Sequence, residues 1–291
     1  MKQPDFTIIT PSFGQLDHLA CCIASVADQE GVEVEHIVQD GGTMGFGEFS
    51  SQLAKQWPDR EGYRRIMVSE KDGGMYDAIN RGLKQSVGKI CAYLNCDEQY
   101  VPGALRTVKK FLSDRPETDV LLGDVVIIGT DGEAICHRKM VKPGLAHTWT
   151  CHFAALTAGM FFREKLVGEG LLFDTSYKAA SDAEWFVRVL RRGKKIENLR
   201  ETTSTFMESG ENLGLSQTAK EERERLDASA PFYLRGLRPA WVFLHRARRL
   251  WSGAHRLEDV AYEIYLPRQA GRKAFTAKRL RTTWPGRMWG R

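Results

Sequence analysis

The chain has 291 residues, of which 42% are hydrophobic and 27% are charged, a composition typical of a soluble globular protein. This length allows one large domain, or one domain with an appendage. The sequence contains no run of the roughly 20 apolar residues that a membrane span requires, and its first residues do not resemble a secretory signal. We therefore expect a cytoplasmic protein without a transmembrane helix.

Charge is distributed unevenly along the chain. From Arg235 onward there are fourteen Lys and Arg residues against three acidic residues, a net +11, so the rest of a chain whose total is +5 carries −6. A mildly acidic body joined to a basic tail predicts that the tail meets an anionic partner. The six cysteines form no CxxC pair, which favours reduced, buried thiols over a metal or redox role.

In the first hundred residues, apolar strand patterns alternate with amphipathic helix patterns. Strands are predicted at 6–10, 34–38, 63–68 and 90–94, and helices between them at about 17–26, 49–57 and 76–86. Such alternation predicts a largely parallel sheet with helices on both faces.

After Tyr100 the alternation becomes less regular. The pattern predicts a helix at 102–112, a hairpin formed by 119–128 and 133–137, and further elements at 161–166, 181–191 and 195–197. Residues 211–229 are rich in Glu, Arg and Lys, which predicts a solvated helix or a linker. We therefore expect a main domain at 1–210 and a charged extension at 211–291.

Polar residues follow the four strands predicted in the first hundred residues. In an open parallel sheet, ligands bind beyond the carboxyl ends of the strands. The segments there are Pro11-Ser12-Phe13, Asp40-Gly41-Gly42, Asp72-Gly73-Gly74 and Asn95-Cys96-Asp97-Glu98. Three of the four place a carboxylate at one edge, and like charges there repel. A cation, sugar hydroxyls or the donor groups of a base would relieve that repulsion.

These segments belong to a longer ordered series of motifs. The series comprises TIITPSFGQLDHLACCIASVADQ, VQDGGT, VSEKDGGMYDAINRGLKQSVGKICAYLNCDE and FDTSYKAASDAEWFVRVLRRGKKI. In its order and spacing over about residues 6–207, the chain resembles glycosyltransferase family 2, which consists of inverting enzymes with the GT-A fold. The resemblance implies an α/β, Rossmann-like, mostly parallel sheet with flanking helices, to which a basic helical C-terminal extension is added. It also implies a donor half at about 1–100 and an acceptor half at about 101–210.

The resemblance assigns the nucleotide-sugar donor, which we expect to be a UDP-sugar, to the loops of the donor half. Pro11, Ser12 and Phe13 would flank the nucleotide, Asp40 would hydrogen-bond the base, and Asp72 would close its other side. An alternative for Asp40 and Asp72 is an Asp-Gly turn that carries its own side-chain hydrogen bonds. The turn at 42–47 also lacks the second Asp that is usual in the family.

The resemblance places the metal site at Asp97. This carboxylate would bind Mg²⁺ or Mn²⁺ bridging the donor diphosphate, and a solvated loop carboxylate is the alternative. Asn95 would face the ribose. Glu98 replaces the more frequent second Asp of the motif, so the sequence leaves its role open.

Asp182 is the candidate general base. It would open a helix, where backbone N–H groups favour the ionised carboxylate, and an inverting transfer needs a carboxylate to take the proton of the acceptor hydroxyl. An ordinary residue of a helix N-terminus is the alternative interpretation. Glu184 is a nearby substitute for the base, Asp174 suits a turn, and His152 suits a buried or supporting histidine better than a catalytic one.

The basic tail contains a second amphipathic pattern at 240–257. Its apolar stripe comprises Leu244, Ala247, Leu250, Trp251, Ala254 and Leu257, and its basic residues lie largely elsewhere. This pattern is typical of an interfacial membrane helix, although a helix that packs on the main domain is equally consistent with it. Farther on, the basic residues near Trp284 and Trp289 suit an anionic membrane surface: Arg272, Lys273, Lys278, Arg279, Arg281, Arg287 and Arg291.

Together these features predict the transfer of one sugar from a nucleotide-sugar to a hydroxyl of a lipid-linked glycan or a cell-surface polysaccharide precursor. The protein would lie in the cytoplasm or on the inner face of the cytoplasmic membrane. A sugar-nucleotide nucleotidyltransferase fits less well, because no basic loop follows the first strand. A non-catalytic scaffold that binds membrane or glycan stays open. No recognised module supports nucleic-acid binding, and the sequence indicates no oligomeric state.

Overall fold

The computed structural model describes residues 3–210 and 213–285, apart from the side chain of residue 215. Arg287, Trp289 and Arg291, which the sequence analysis assigned to the basic tail, lie outside the described residues. Within that part of the chain there is one large sheet, one separate hairpin and a set of flanking helices. The α/β class predicted from the alternating patterns is confirmed.

The large sheet contains nine strands within the described residues. They are β1 Phe6–Ser12, β2 Val34–Asp40, β3 Tyr63–Ser69, β4 Ile90–Tyr93, β5 Gln99–Tyr100, β6 Val120–Ile128, β7 Ala134–Arg138, β8 Met160–Arg163 and β9 Ile196–Met207. Their order is β3-β2-β1-β4-β8-β6-β9-β5, with β7 paired to β6. The first four strands are mutually parallel, and β8 is antiparallel to both of its neighbours. The carboxyl ends of the first four strands therefore share one edge.

Helices cover the sheet at positions close to those predicted. They are α1 Leu16–Ala27, α2 Phe46–Gln56, α3 Met75–Gln85, α4 Ala104–Asp114, α5 Leu145–Thr150, α6 Lys165–Gly168, α7 Ser181–Arg191, α8 Gln217–Ala228, α9 Phe232–Gly236 and α10 Arg238–Trp251. The helix predicted from residue 102 begins at Ala104, because Gly103 takes a left-handed φ of 72°. Helix α7 has the predicted bounds.

Helix α3 lies unusually close to the central strand β1. A Cβ atom built on Gly82 would come within 2.7 Å of the Ile9 side chain, so a larger residue there would push the helix outward. Tyr76, Ile79 and Leu83 of the same helix are buried in the main core. This close packing brings the first turn of α3 to the edge of the sheet where the strands end.

The predicted helical C-terminal extension is confirmed as helices α8, α9 and α10, and a hairpin that was not predicted follows it. After α10, strands β10 Glu258–Tyr265 and β11 Arg272–Leu280 form an antiparallel hairpin. Its apolar side chains join the main core, and Arg272 forms hydrogen bonds of 2.6 and 2.8 Å to the Asp28 carboxylate. Strand alternation explains the hairpin, whereas the sequence analysis considered only the charge of this segment.

Helix α8 packs on the main body of the protein and is not an isolated linker. The buried Glu222 carboxylate accepts hydrogen bonds from three consecutive backbone N–H groups, those of Lys178, Ala179 and Ala180. These residues directly precede α7. The boundary at residue 210 stays a prediction, and this contact crosses it.

We expect Glu222→Ala to destabilise the protein, because three backbone N–H groups lose a charged acceptor in a buried place. The free energy of unfolding should fall by about 1–3 kcal/mol, measured by urea denaturation. The matched control is Glu221→Ala, since Glu221 is exposed and its carboxylate accepts a hydrogen bond from Gln217 one turn earlier. Equal stability of the two variants would contradict the role given to Glu222.

Candidate active site

The loops that follow β1, β2 and β3 meet at one place. The backbone N–H of Gly41 donates to the Ser12 carbonyl at 2.8 Å, which joins the first two loops. A Cβ atom on Gly41 would lie 3.1 Å from Cδ2 of Phe13 and 3.2 Å from Oδ2 of Asp72. Gly41 thus occupies the space between an aromatic ring and a carboxylate. Because the Phe13 side chain is 72% exposed, its ring is available to stack on a planar ligand.

The other residues assigned to the nucleotide belong to the same loops or to the strand end that precedes them. Pro11 and Ser12 are buried at the end of β1, and the Ser12 hydroxyl has no hydrogen-bond partner among the described residues. Asp72 is half-buried, and its Oδ1 accepts a hydrogen bond from Gly74 N at 2.8 Å. That bond leaves the Oδ2 atom facing Gly41.

Asp40 is fully buried and holds its own turn together. Its carboxylate accepts hydrogen bonds from Gly42 N, Thr43 N, Thr43 Oγ1 and Ser69 Oγ at 2.6–3.0 Å. These are the local side-chain bonds that formed the alternative interpretation of this residue. A direct contact between Asp40 and a base stays a prediction.

The acidic segment after β4 contains two carboxyl groups that are largely shielded from water. Burial, and next the charge of Asp97, raise the pKa of Glu98 well above the ordinary value of a glutamic acid. Glu98 accepts hydrogen bonds from the backbone N and side-chain Nδ2 of Asn95 at 2.9 and 3.1 Å. Burial also raises the pKa of Asp97, against the opposing effect of His18. Glu98, whose role the sequence left open, therefore orients Asn95.

The oxygen atoms of this segment suit a hard cation. Glu98 binds the amide nitrogen of Asn95, so the Oδ1 atom of Asn95 is left buried and without a partner among the described residues. A partly desolvated carboxylate at Asp97 lies two residues away. Carboxylate and amide oxygens are ligands that Mg²⁺ and Mn²⁺ accept. The donor set therefore fits the metal that the sequence analysis placed at Asp97.

The first turns of α3 connect these loops to the acceptor half. The Asp77 carboxylate accepts a hydrogen bond from Gly73 N at 2.9 Å, and this fixes the turn that follows Asp72. One turn later, the Asn80 side chain donates to the Phe173 carbonyl at 2.8 Å and accepts from Phe173 N at 2.9 Å. The segment that leads into α7 is therefore held by α3.

Asp182 lies at the start of α7, against Tyr76 of α3. Its backbone N–H donates to the Tyr76 hydroxyl at 3.4 Å, and its Oδ1 accepts from Ala183 N at 2.7 Å. Burial raises the pKa of Asp182 to about 6, while hydrogen bonds from Ala183 N and the Tyr76 hydroxyl, and the charge of Arg223, oppose the rise. A carboxylate with this pKa is ionised at neutral pH and is a stronger base than an exposed Asp.

The other residues weighed as bases have structural partners. Glu184 forms an ion pair with Arg188 at 2.7 Å, and Asp174 accepts from Ser176 N at 2.9 Å in a turn. His152 is exposed and its ring contacts the rings of His147 and His245. Among the candidates, Asp182 has the environment that best suits a base.

Sequence reasoning missed four residues that shape the site. Tyr76 and Asn80 were quoted within a motif, and their spacing of four on a helix was the signal that both face the same partner. Glu222 and Arg223 lie in a charged segment that was interpreted as solvated. Nothing local distinguishes them from their exposed neighbours, since their partners are 40 to 75 residues away along the chain.

Solved structures share the fold of this chain. A crystal structure of residues 1-349 of S. aureus TarS in complex with UDP-GlcNAc is 17% identical and aligns with a TM-score of 0.62, covering 86% of this chain and 75% of that TarS chain. The mannosyltransferase PcManGT from Pyrobaculum calidifontis, in complex with GDP-Man and Mn²⁺, is 18% identical with a TM-score of 0.54, covering 86% and 72%. Both are glycosyltransferases of the GT-A type, so the predicted GT-A fold is confirmed.

Sequence comparison gives the family. A PGL/p-HBAD biosynthesis glycosyltransferase of Mycobacterium tuberculosis is 26% identical over 262 residues, covering 87% of this chain and 95% of the relative. An uncharacterized glycosyltransferase of the same species is 32% identical over 189 residues, covering 64% and 68%. The model for glycosyl transferase family 2 matches residues 7–217, which is most of the chain. The chain therefore belongs to glycosyl transferase family 2 and is a glycosyltransferase.

Proposed function

We propose that this protein transfers one sugar from a UDP-sugar to a hydroxyl acceptor with inversion, and that Asp182 is the general base. The contact between Asp182 and Tyr76 carries the proposal. Tyr76 begins the helix that follows the Asp72 loop, so the base stands beside the loops that would hold the donor. Lys178 adds a second link, because its Nζ donates to the Gly73 carbonyl at 2.9 Å.

The donor would bind at the meeting point of the three loops. The exposed Phe13 ring would stack on the base, and the Oδ2 atom of Asp72 would accept a hydrogen bond from its edge. Asn95, with its unpaired Oδ1, would face the ribose or the metal. TarS binds UDP-GlcNAc and PcManGT binds GDP-Man, which supports a nucleotide-sugar; the higher TM-score of TarS favours uridine.

Asp97 would hold a divalent ion, Mn²⁺ or Mg²⁺, with the Asn95 oxygen close by. When bound, the ion supplies positive charge that stabilises the leaving nucleoside diphosphate. PcManGT was solved with Mn²⁺, which supports this cofactor. The chain's own residues position the ligands. Glu98 orients Asn95, and a bound cation would stabilise the partly desolvated carboxylate of Asp97.

The reaction would be a single displacement. Asp182 would take the proton of the acceptor hydroxyl while the hydroxyl oxygen attacks the anomeric carbon and the bond to the diphosphate breaks. The Tyr76 hydroxyl would hold Asp182 by accepting from its backbone N–H, and Glu222 would fix the backbone that leads to it. Because the chain belongs to glycosyl transferase family 2, we favour sugar transfer over the two alternatives considered from sequence, a nucleotidyltransferase and a non-catalytic scaffold.

The surface of α10 supports an acceptor located at a membrane. The burial pattern of this helix is the reverse of that of an amphipathic helix packed on a protein core. His245 and Arg249 are buried, while Phe243 and Trp251 are 70% and 86% exposed. Exposed Leu250 and Leu257 extend the apolar surface, and a Trp-containing apolar surface beside arginines suits an anionic interface. None of the helices in residues 3–210 and 213–285 is long and apolar enough to cross a bilayer. The acceptor would then be a lipid-linked glycan or a cell-surface polysaccharide precursor.

Separate measurements of donor binding and of sugar transfer test the site. With Mn²⁺ and a panel of UDP-, GDP- and dTDP-sugars, we expect one UDP-sugar to raise the melting temperature of the wild type and of Asp182→Asn. Asp97→Asn should lose the metal-dependent part of that shift. In transfer assays, Asp182→Asn should lower kcat by about 10²–10⁴-fold.

Asp174→Asn is the matched control, because Asp174 lies in a turn of the same segment and should keep nearly full activity. Wild-type kcat in Asp182→Asn would remove Asp182 from the mechanism. A response to no donor in the wild type would refute the donor site itself.

The pH dependence tests the base separately. Since Asp182 must be ionised, log kcat/KM should rise with pH up to an apparent pKa of about 6 and then level off. The Tyr76 hydroxyl lowers the pKa of Asp182, so Tyr76→Phe should move this acidic limb to higher pH. A limb that does not move in Tyr76→Phe, or that persists in the residual activity of Asp182→Asn, would assign it to another group.

Vesicle sedimentation tests the membrane surface. The double variant Phe243→Ser/Trp251→Ser should bind anionic vesicles much more weakly than the wild type, and added salt should weaken wild-type binding. Met44→Ser is the control, because Met44 is equally exposed but lies in the turn after β2. Equal binding of the double variant and the wild type would rule out α10 as the membrane contact.

A further inference from the structure

Three histidine rings meet where α10 packs against α5. His147 belongs to α5, His152 follows it, and His245 lies on α10. The rings of His147 and His245 have centroids 4.2 Å apart, and those of His147 and His152 are 4.4 Å apart. One ring nitrogen from each residue can be chosen so that all three lie within 4.8 Å of one another. The three side chains thus converge on one point.

Two of these histidines are buried with unsatisfied ring nitrogens. His147 is only 4% exposed, and neither of its ring nitrogens has a hydrogen-bond partner among the described residues. His245 is 6% exposed and its Nδ1 likewise has none. Because buried polar groups almost always have partners, these nitrogens indicate a missing ligand.

Imidazole binds metal through the lone pair of a ring nitrogen. Among the described residues, no hydrogen bond occupies either ring nitrogen of His147 or the Nδ1 atom of His245. Three histidine nitrogens with a fourth position open to solvent, at the exposed His152, form a donor set that suits zinc.

We propose that His147, His152 and His245 form a zinc site that joins α10 to the catalytic unit. The site is separate from the one at Asp97, because Mg²⁺ and Mn²⁺ prefer oxygen ligands and zinc prefers imidazole. Its bond lengths of about 2.0–2.1 Å require the rings to rotate inward from their present positions. The ion would hold α10 in place, with its apolar face outward.

The surroundings of the cluster are strongly basic. Arg223 and Arg248 oppose a positive charge at His147, and Arg138, Arg246 and Arg249 do so at His152 or His245. These arginines weaken the binding of a zinc ion that carries no anionic ligand, but they favour an anion at its fourth coordination position. We therefore expect the zinc to carry an anionic fourth ligand such as chloride or phosphate, which reduces the net charge of the site.

Metal titration of the full chain tests this inference. After removal of bound metal with a chelator, one equivalent of Zn²⁺ should raise the melting temperature, and Co²⁺ should give the visible absorption of a tetrahedral site. His245→Ala and His147→Ala should lose both responses. Asp97→Ala and His255→Ala should keep them, since Asp97 belongs to the other site and His255 is an exposed histidine outside the cluster.

Several outcomes would overturn the inference. One is an unchanged cobalt spectrum in His245→Ala, and another is a metal-stripped wild type that does not respond to zinc. Inorganic phosphate that stabilises the stripped protein in a His245-dependent manner, with no zinc response, would show an anion site instead. If the variants do not fold, X-ray absorption at the zinc edge of the wild type decides, because fewer than three imidazole neighbours would contradict the site.

Discussion

The paired hydrogen bonds between the Asn80 side chain and the backbone of Phe173 hold the two halves of the site together. They join residues 93 positions apart in the chain and provide partners for both the backbone N–H and the carbonyl of buried Phe173. The Phe173 ring also stacks on Tyr76, with centroids 5.6 Å apart. Together with the contacts of Asp182 to Tyr76 and of Lys178 to Gly73, this clamp fixes the position of Asp182 relative to the loops after β1, β2 and β3. Donor binding and proton transfer depend on that distance being constant.

Burial sets the chemistry of the carboxyl groups at this edge. The same loss of water raises the pKa of Asp182, Asp97 and Glu98, yet the three groups differ in their partners. Glu98 is fully enclosed and binds Asn95, so it serves the structure. In the mechanism we propose, Asp97 would hold a cation and Asp182 would take a proton from a hydroxyl. Position within the fold would then give three similar side chains three different tasks.

The C-terminal part of the chain reverses the usual relation between polarity and burial. In α10, His245 and Arg249 are buried against the protein, while large apolar side chains such as Phe243 and Trp251 face outward. Burying Arg249 lowers its pKa to about 10, which shows how strongly its charge is desolvated. Such an arrangement is unfavourable for an isolated chain in water. A membrane on one side of the helix and a metal ion on the other would each remove part of the cost.

The sequence by itself predicted the alternating strands and helices of the first hundred residues, the resemblance to the family, the edge of the sheet that carries Phe13, Asp72, Asn95 and Asp97, and the helix that begins beside Asp182. It could do so because hydrophobic periodicity and turn residues act over a few positions, and because the family motifs keep their order along the chain. Only the tertiary structure decided that Asp40 holds its own turn and that Glu222 supports the segment before Asp182. It alone also decided that residues 258–280 form a hairpin and that three histidines meet at α10. The support from Glu222 and the meeting of the histidines depend on contacts between residues far apart in sequence, for which local pattern and charge carry no signal.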